Sequence, residues 1–283
     1  MTTPASPQNL QRGTSALVIA RNIRNDIESG RLAHGQQLPS TRALADEWGT
    51  SVATINRAMG MLAEEGLVLN RARSSRLVNY PAGVAKRPDG RPRTPKVVLI
   101  GGYAGSGKTE LGRILARETG WPILDKDTTT RAVVEAALET LGESPHDRES
   151  ELYLTVIRPA EYNALIATLI ENAQCGNSSI VTAPFIRELG DQAWCDRLSA
   201  NLTSMGAELY VVWVRCDADT MRTYLRHRGA ARDAWKLAHW EQYLTGKDIE
   251  FRPVIQHQII DNSAESRPLQ QQAAELLDQV IRP

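Results

Sequence analysis

The feature that most constrains the fold of this chain is a glycine-rich octapeptide that directly follows an apolar run. Residues 97–100 read VVLI, a continuous aliphatic run typical of strands buried on both faces of a sheet. Residues 102–109 read GYAGSGKT, which has the spacing GxxxxGKT of a phosphate-binding loop. A segment with Leu111, Ile114 and Leu115 on one face comes next and indicates a helix. The order of strand, glycine-rich turn and helix predicts a phosphate-binding loop at the first strand of an α/β domain.

Several properties of this octapeptide fit the polyphosphate of a nucleotide. Its glycines let backbone N–H groups converge on phosphate oxygens, and the N-terminus of the following helix adds partial positive charge. The ammonium group of Lys108 is expected to neutralise the β- and γ-phosphates, and the hydroxyl of Thr109 to coordinate magnesium. We therefore predict ATP and Mg²⁺ as cofactors. The predicted cofactor-binding residues of the loop and its helix are Gly102, Ala104, Gly105, Ser106, Gly107, Lys108, Thr109 and Glu110.

The rest of the chain alternates between apolar strand segments and helical segments. Strands are predicted at residues 122–124, 179–183, 208–215 and 258–260. Helices are predicted at residues 128–141, 148–174, 191–204, 217–227 and 269–281. Together with the strand before the loop, these segments predict a parallel β-sheet flanked by helices. Ligands of such sheets gather at the carboxyl ends of the strands.

Carboxylates at the end of the second predicted strand are candidate catalytic groups beside Lys108. Asp125 or Asp127 could accept a proton from a substrate hydroxyl or orient it toward the γ-phosphate. Asp125 is also a candidate magnesium ligand together with Thr109, and a purely structural pairing with the intervening lysine is the alternative. Arg148 and Arg158 are predicted on one long helix, where they could face an acceptor molecule or a second subunit.

A group of arginines after the fourth predicted strand is a candidate lid. If one helix continues through this stretch, Arg228 and Arg232 share a face, as do residues four apart in general. Such a basic segment could close over the phosphates, and a solvated basic surface is the alternative. The candidate phosphate ligands here are Arg226, Arg228 and Arg232, and Asn262 lies after the last strand, where an adenine could rest.

The first 80 residues have a different pattern, in which helical segments precede a basic hairpin. Helices are predicted at residues 15–29, 40–48 and 52–65, with Ser40 as an N-cap, and extended segments at 67–70 and 76–79. The first of these helical segments has apolar residues at helical spacing, namely Leu17, Ile19, Ala20, Ile23 and Ile27. This order is that of a winged helix-turn-helix domain.

In such a domain the third helix enters the major groove of DNA with its N-terminal end. Asn56 and Arg57 are therefore predicted to read base edges, and Ser51 and Thr54 to hold phosphates. A module used only for dimerisation or protein contacts is the alternative. The remaining predicted DNA ligands are basic residues suited to phosphates, namely Arg42, Arg71, Arg73 and Arg76.

Residues 80–95 are rich in proline, glycine and basic residues and lack apolar periodicity, which predicts a linker. The predicted domains are thus residues 1–79, which bind DNA, the linker 80–95, and residues 96–283, which bind nucleotide. Charge divides at the same place. Residues 1–96 carry 14 Lys and Arg against 7 Asp and Glu, a net of +7, whereas the rest carry 19 against 26, a net of −7. A basic module that meets a polyanion fits this division.

Both halves resemble known families. Residues 15–79 resemble GntR-type transcription regulators in the stretches 29–32, 35–42, 44–45, 54–55 and 62–67, although Val52 replaces a basic residue common there. The second half resembles small P-loop kinases that phosphorylate metabolites or antibiotics, such as gluconate kinase-like and chloramphenicol phosphotransferase-like proteins. It shares their loop, the acidic residue Asp125 and the arginine-rich stretch 222–232. Thr182 stands where many of these kinases carry a carboxylate that supports magnesium.

The resemblances imply an α/β chain in which a winged helix-turn-helix domain is linked to a P-loop NTPase or kinase-like domain. We expect a transcription regulator whose affinity for double-stranded operator DNA depends on nucleoside triphosphate occupancy, and a homodimer that meets two half-sites. The alternatives are a small-molecule kinase that regulates its own gene and an ATPase that acts as a timer. Neither a membrane-spanning run nor a signal-peptide core is evident, so a cytoplasmic protein is expected.

Overall fold

The computed structural model of the chain describes residues 15–71, 75–80, 94–245 and 248–281. The chain divides into two compact units, Met1–Pro92 and Arg93–Pro283, and each is described by itself. Most of the predicted linker, residues 81–93, lies outside the described residues. None of the described helices combines the length and the apolar character needed to cross a membrane.

The first unit consists of a three-helix group and a two-stranded antiparallel hairpin. The helices and strands are α1 (Ala16–Glu28), α2 (Thr41–Glu47), α3 (Val52–Glu64), β1 (Val68–Arg71) and β2 (Ser75–Val78). Each helix begins at a serine whose side chain accepts a backbone N–H of the first turn, and the three serines are Ser15, Ser40 and Ser51. The predicted N-cap at Ser40 and the predicted winged helix-turn-helix fold are confirmed.

The core of this unit lies between the three helices and the hairpin. Ile19, Ile27, Ile55 and Leu62 are fully buried there. Leu17, in contrast, is 68% exposed, although it is part of the apolar pattern that predicts this helix. The buried residues of α1 are 19, 20, 23 and 27. These four residues form one apolar stripe along the helix, which is as wide as the contact with a small core.

The second unit is built on a five-stranded sheet whose paired strands are all parallel, in the order β4-β5-β3-β6-β7. Its strands are β3 (Lys96–Gly101), β4 (Ile123–Asp125), β5 (Ser179–Thr182), β6 (Glu208–Arg215) and β7 (Gln258–Asp261). Successive residues of β3 point to opposite faces: Val97 and Leu99 join one buried cluster, Val98 and Ile100 the other. The predicted sheet with helices on both faces is confirmed.

Helices cover both faces of the sheet and connect its strands. They are α4 (Lys108–Thr119), α5 (Lys126–Thr140), α6 (Arg158–Gln174), α7 (Ile186–Leu189), α8 (Gln192–Ser204), α9 (Ala218–Arg228), α10 (Ala234–Ala238), α11 (Trp240–Thr245) and α12 (Leu269–Leu276). A π-helical turn at Tyr153–Ile157 precedes α6, a 3₁₀ turn at Ala231–Asp233 precedes α10, and a second π-helical turn at Leu277–Ile281 follows α12.

Two predicted helices differ from the structure. The helix predicted from residue 148 starts later, so Arg148 lies in a loop and only Arg158 lies on α6. The helix with the basic residues does not continue, because α9 ends at Gly229, which adopts the left-handed conformation with φ of 59°. Arg228 and Arg232 therefore belong to separate segments and do not share a helical face.

Candidate functional site

The loop between β3 and α4 depends on glycines at Gly105 and Gly107. Both have positive φ, 84° and 94°, which side chains with a Cβ rarely adopt. A Cβ at residue 107 would also lie 2.2 Å from Nδ2 of Asn262, and one at residue 105 would lie 2.9 Å from the carbonyl oxygen of Met221. The loop thus packs tightly against the β7–α12 connection and against α9.

Gly102, the first residue of the loop, is fixed by the neighbouring strands. Its N–H donates to the carbonyl of Pro184, at 3.2 Å, and a Cβ here would lie 2.6 Å from the carbonyl oxygen of Val214. Ser106 is fully buried within the loop, and its hydroxyl has no partner among the described residues. Gly102 therefore shapes the loop, whereas later residues offer donors to a ligand.

Lys108 begins α4, and its side chain folds back over the loop. Its Nζ donates to the carbonyl of Tyr103, at 3.3 Å. Burial lowers the pKa of Lys108 to about 8, although the nearby carboxylates of Asp127 and Asp125 act in the opposite direction. The nearby carboxylates thus do not fully offset the cost of burying this positive charge. A bound phosphate would stabilise the charged ammonium group, as expected for a phosphate-binding lysine.

Thr109, Asp125 and Thr182 meet at the carboxyl ends of three strands. Oδ2 of Asp125 accepts hydrogen bonds from the hydroxyls of Thr109, at 3.1 Å, and Thr182, at 2.6 Å. Oδ1 of Asp125 caps α5 by accepting the N–H of Thr128, at 2.9 Å. Asp125 on β4 and Thr182 on β5 are register partners in the sheet. The carboxylate that contacts Thr109 therefore belongs to β4, and β5 contributes a hydroxyl at this position.

The side chains at this position have the donor atoms that magnesium and a nucleotide require. Hydroxyl and carboxylate oxygens are the hard donors that Mg²⁺ prefers, and Thr109 and Asp125 supply one of each. The tight glycine loop, the buried Ser106 hydroxyl and the compensating charge of Lys108 fit a polyphosphate. The structure thus brings together Thr109 and Asp125, the two predicted metal ligands.

Asp127 is held in ion pairs. Its carboxylate lies 3.1 Å from Nζ of Lys126 and 2.9 Å from Nη2 of Arg232. Burial raises the pKa of Asp127, but the charges of Lys126, Arg232 and Lys108 outweigh it and lower the pKa well below the usual range. The predicted pairing with the intervening lysine is thus present, and the group is a weak proton acceptor in this state.

Lys126 also anchors α5 to the helix beside it. Its Nζ lies 2.7 Å from Oε1 of Glu161 on α6, and the two side chains are only 6% and 3% exposed. The hydroxyls of Thr130 and Tyr153 donate to the same carboxylate, each at 2.7 Å. This buried cluster fixes the start of α5, where both candidate aspartates lie.

The basic residues predicted as a lid have carboxylate partners on both sides. Arg232 reaches across to Asp127, whereas Arg228 binds Asp233 through Nε, at 3.0 Å, and Nη2. Lys236 lies 3.6 Å from Glu149. These pairs connect the 3₁₀ turn and α10 to Asp127 at the start of α5 and to Glu149. Arg228, Arg232 and Lys236 are therefore neither a free basic surface nor part of one continuous helix.

A cavity of about 410 Å³ lies beside the loop. It is lined by residues of the loop, α9 and the β7–α12 connection, namely Gly105, Gly107, Lys108, Thr109, Glu110, Tyr224, His227, Arg228, Asn262 and Leu269. Nδ2 of Asn262 donates to the carbonyl of Ser106, at 3.0 Å. Arg226 is exposed on the last turn of α9 and does not line this cavity.

Two other predicted arginines serve the structure around this site. Arg158 makes a bidentate pair with Glu188, at 2.8 and 2.9 Å, and its guanidinium lies 4.2 Å from the ring centroid of Tyr162. Arg148 lies over the ring of Tyr153, at 5.2 Å. Arg158 and Arg148 thus both contact side chains of the protein.

The first unit brings several predicted DNA ligands to one end of α3. Ser51, Thr54 and Arg57 line a shallow concavity where α1 and α3 begin. The hydroxyl of Ser51 caps α3 by accepting the N–H of Thr54, at 3.1 Å. Arg42 and Arg57 are exposed. The side chains of Arg71 and Arg73 lie outside the described residues.

Arg76 has three protein partners. Its Nη1 donates to the hydroxyl of Thr41, at 2.8 Å, its Nη2 to Oδ1 of Asn56, at 3.0 Å, and its Nε to Oδ1 of Asn70, at 3.3 Å. Arg76 is therefore engaged within the protein, whereas Arg42 is exposed.

The two units match two protein families. Residues 97–247, more than half of the 283 residues, match a family described as an AAA domain. The chain belongs to this AAA domain family. Residues 16–78 match the gntR family of bacterial regulatory proteins, so the AAA domain follows a GntR helix-turn-helix domain. Both resemblances predicted from the sequence, to GntR regulators and to kinase-like P-loop proteins, are confirmed.

Individual relatives match parts of the chain. A shikimate kinase from Ruegeria pomeroyi is 31% identical over 138 residues, which cover 46% of this chain and 62% of that protein. An uncharacterized HTH-type transcriptional regulator from Bacillus subtilis is 35% identical over 60 residues, 21% of this chain and 13% of the regulator. The chain thus spans less than two thirds of the length of either relative.

A solved structure of the APS kinase from Mycobacterium tuberculosis, in complex with AMPPNP and APS, superposes with a TM-score of 0.43 at 20% identity. The superposition covers 66% of this chain and 98% of the kinase.

Sequence reasoning missed some residues of the AAA domain site. Tyr224, His227 and Leu269 line the cavity beside the loop but belong to no motif. Thr182 was read as a lost carboxylate, whereas it holds Asp125. The register of β4 and β5 decides this contact, and a single sequence does not contain that register.

Proposed function

We propose that this chain is a transcription regulator whose affinity for operator DNA depends on Mg-ATP in its AAA domain. The observation that carries the proposal is the contact of Thr109 with Asp125 beside a glycine loop, in a chain that also has a GntR domain. In this proposal the loop binds the phosphates, Lys108 compensates their charge, and the cavity beside the loop receives the base and sugar.

Magnesium held by Thr109 and Asp125 would neutralise charge on the bound phosphates. The protein's own part is to orient these two oxygens. Thr182 keeps Oδ2 of Asp125 in place, and the N-terminus of α5 keeps Oδ1 in place. These contacts fix the carboxylate of Asp125 beside the hydroxyl of Thr109, so that one metal ion would be within reach of both side chains.

The state of Asp127 supports sensing over turnover. A general base works best when its pKa lies near the operating pH. Lys126 and Arg232 instead hold the pKa of Asp127 well below its usual range, despite the opposing effect of burial. Asp127 is thus a weak proton acceptor in this arrangement.

In this proposal the element that responds to nucleotide is the basic segment with the 3₁₀ turn and α10. Arg232 is bound to Asp127, and Arg228 lines the cavity while bound to Asp233. Triphosphate would compete with both carboxylates for these guanidinium groups. A nucleotide that rearranges this segment changes DNA affinity only if it binds the two arrangements with different affinity. We also propose that the regulator binds DNA as a homodimer, the usual form of helix-turn-helix proteins on two half-sites.

The test compares operator binding by the full chain alone, with Mg-ATP, with Mg-ADP and with a non-hydrolysable ATP analogue. We expect a shift of about fivefold or more, with the analogue acting like ATP. Lys108→Ala should abolish the shift while leaving nucleotide-free DNA affinity unchanged. Arg113→Ala, an exposed change on the same helix, is the control. A Lys108→Ala protein that responds like the parent would falsify the proposal.

The second candidate is a small-molecule kinase with an autoregulatory DNA-binding domain. It is favoured by the 31% sequence identity with a shikimate kinase over 138 residues. ADP release that rises only when a hydroxyl metabolite is added would support this candidate. Equal effects of ATP and its analogue on DNA binding, with no acceptor-dependent ADP release, would support the sensor.

A further inference from the structure

The guanidinium of Arg76 connects the wing to the predicted recognition helix. Arg76 lies on β2, and its three nitrogen atoms donate to oxygens from three other elements: Thr41 at the start of α2, Asn56 on α3 and Asn70 on β1. The donor to Oδ1 of Asn56 is Nη2, at 3.0 Å. A single side chain thus fixes α3 relative to the hairpin.

This contact determines how the amide of Asn56 is oriented. The oxygen and nitrogen of an asparagine amide have the same shape, so hydrogen-bond partners decide which is which. A guanidinium has only donors, so it must face the carbonyl oxygen and not the N–H₂ group. The amide nitrogen of Asn56 therefore points away from Arg76.

The surroundings leave that amide nitrogen available to a ligand. Asn56 is exposed, it follows the capped start of α3 by one turn, and the next residue, Arg57, is also exposed. Within the described residues, no protein group accepts a hydrogen bond from Nδ2 of Asn56. The exposed end of α3 thus presents a pair of N–H donors with a fixed direction.

We infer that Arg76 is a positioning residue for base recognition, which holds Asn56 so that its N–H₂ group donates to guanine in the major groove. Guanine presents two acceptors there, N7 and O6. The pairing of asparagine with adenine needs the carbonyl oxygen and the amide nitrogen on the same base, and here Arg76 has turned the oxygen away. The inference rests on the proposed DNA binding and adds the base that one residue recognises.

The test is selection of operator sequences from a randomised double-stranded DNA library by the full chain, with and without Mg-ATP. The parent should enrich guanine at one position, and Asn56→Ala should lose that preference by about fivefold to tenfold, the lower end of the range for a good side-chain contact to a base. Arg76→Met should lose the preference at the same position. Arg76→Lys, which also has only donors, should keep most of it. Arg31→Met is the control, because Arg31 pairs with Asp26 away from this cluster.

A second variant keeps the contact with Arg76 and so protects the test against simple misfolding. Asn56→Asp still offers an oxygen to Arg76 but has no N–H₂ group. It should change the preference at that position from guanine to cytosine, whose N4 amino group is a donor. A merely structural role of Arg76 would instead weaken binding to all sequences alike when Arg76 is replaced.

Two results would overturn the inference alone. One is a parent preference for adenine at the position that Asn56→Ala affects, and the other is an Arg76→Met protein with the parent's preference there. If the parent enriches no sequence in either nucleotide condition, the proposed DNA binding itself fails, and the inference fails with it. The measured preferences thus separate the two failures.

Discussion

The ammonium group of Lys108 lies in a setting that disfavours its own charge. Burial lowers its pKa from 10.5 to about 8, with Asp127 and Asp125 only partly compensating. A bound polyphosphate would raise this pKa again, because it places several negative charges beside the nitrogen. Nucleotide binding and protonation of Lys108 should therefore support each other.

The pH dependence of nucleotide affinity follows from this sign. Below about pH 7 Lys108 is already protonated, so its charge adds no pH dependence. Above pH 8 the free protein loses the proton, and Mg-ATP affinity should fall by up to tenfold per pH unit. Calorimetry at pH 8.5 in two buffers of different ionisation enthalpy should report proton uptake on binding. Lys108→Arg, whose charge does not titrate in this range, should show neither effect. If Lys108→Arg takes up as many protons on binding as the parent does, Lys108 is not the group whose pKa changes.

At the scale of elements, the buried pair of Lys126 and Glu161 joins α5 to α6. Removing one partner of a buried ion pair costs about 3 to 5 kcal/mol. Without Glu161, Lys126 would keep only its contact with Asp127 among the described residues, so the lower end of this range is expected. Thr130 and Tyr153 would lose an acceptor at the same time. Glu161→Ala should therefore lower the free energy of unfolding of the AAA domain by about 3 kcal/mol or more, measured by urea denaturation of the full chain.

An exposed ion pair supplies the matched control. Glu275 pairs with Arg267 on the surface, with exposed fractions of 46% and 61%. Glu275→Ala should change the free energy of unfolding by less than about 1 kcal/mol, because solvent already screens this pair. Similar losses from the two substitutions would show that the pair of Lys126 and Glu161 does not anchor α5.

The helices and strands also show which parts of the fold could be predicted from the sequence. Strand β6 was predicted with the same bounds as observed, because eight consecutive residues carry a strong apolar strand pattern. The helix predicted from residue 148 was too long, because helical periodicity does not reveal where a loop and a π-helical turn begin. Contacts between distant residues, such as Arg232 with Asp127, depend on tertiary packing and leave no local pattern.

For the whole molecule, the order of the two domains was readable because each carries a local motif with fixed spacing. The glycine loop and the helix-turn-helix stretch each predict their fold within a few tens of residues. Thr109 and Asp125 could be placed at one sheet edge by the rule for parallel strands. The partners that orient them, such as Thr182, could not, because these depend on strand register.

Coupling between the domains has a consequence that binding measurements can check. If Mg-ATP changes operator affinity by some factor, operator DNA must change Mg-ATP affinity by the same factor. Nucleotide titrations with and without saturating operator should therefore give a ratio that agrees, within about twofold, with the ratio from DNA titrations with and without nucleotide. A scrambled duplex of equal length is the control. Unequal ratios would mean that the nucleotide does not act through equilibrium binding alone, as when ATP is hydrolysed during the measurement.

The hydrogen bond from Gly102 to the carbonyl of Pro184 ties the exit of β3 to the exit of β5. Pro184 is followed by Phe185, which is held at a φ of 50° although it has a side chain. This hydrogen bond connects the start of the glycine loop to the chain segment that follows β5. Substitutions near residue 185 should therefore alter the width of the phosphate cradle from outside it, and natural variation there could tune nucleotide preference without touching the octapeptide.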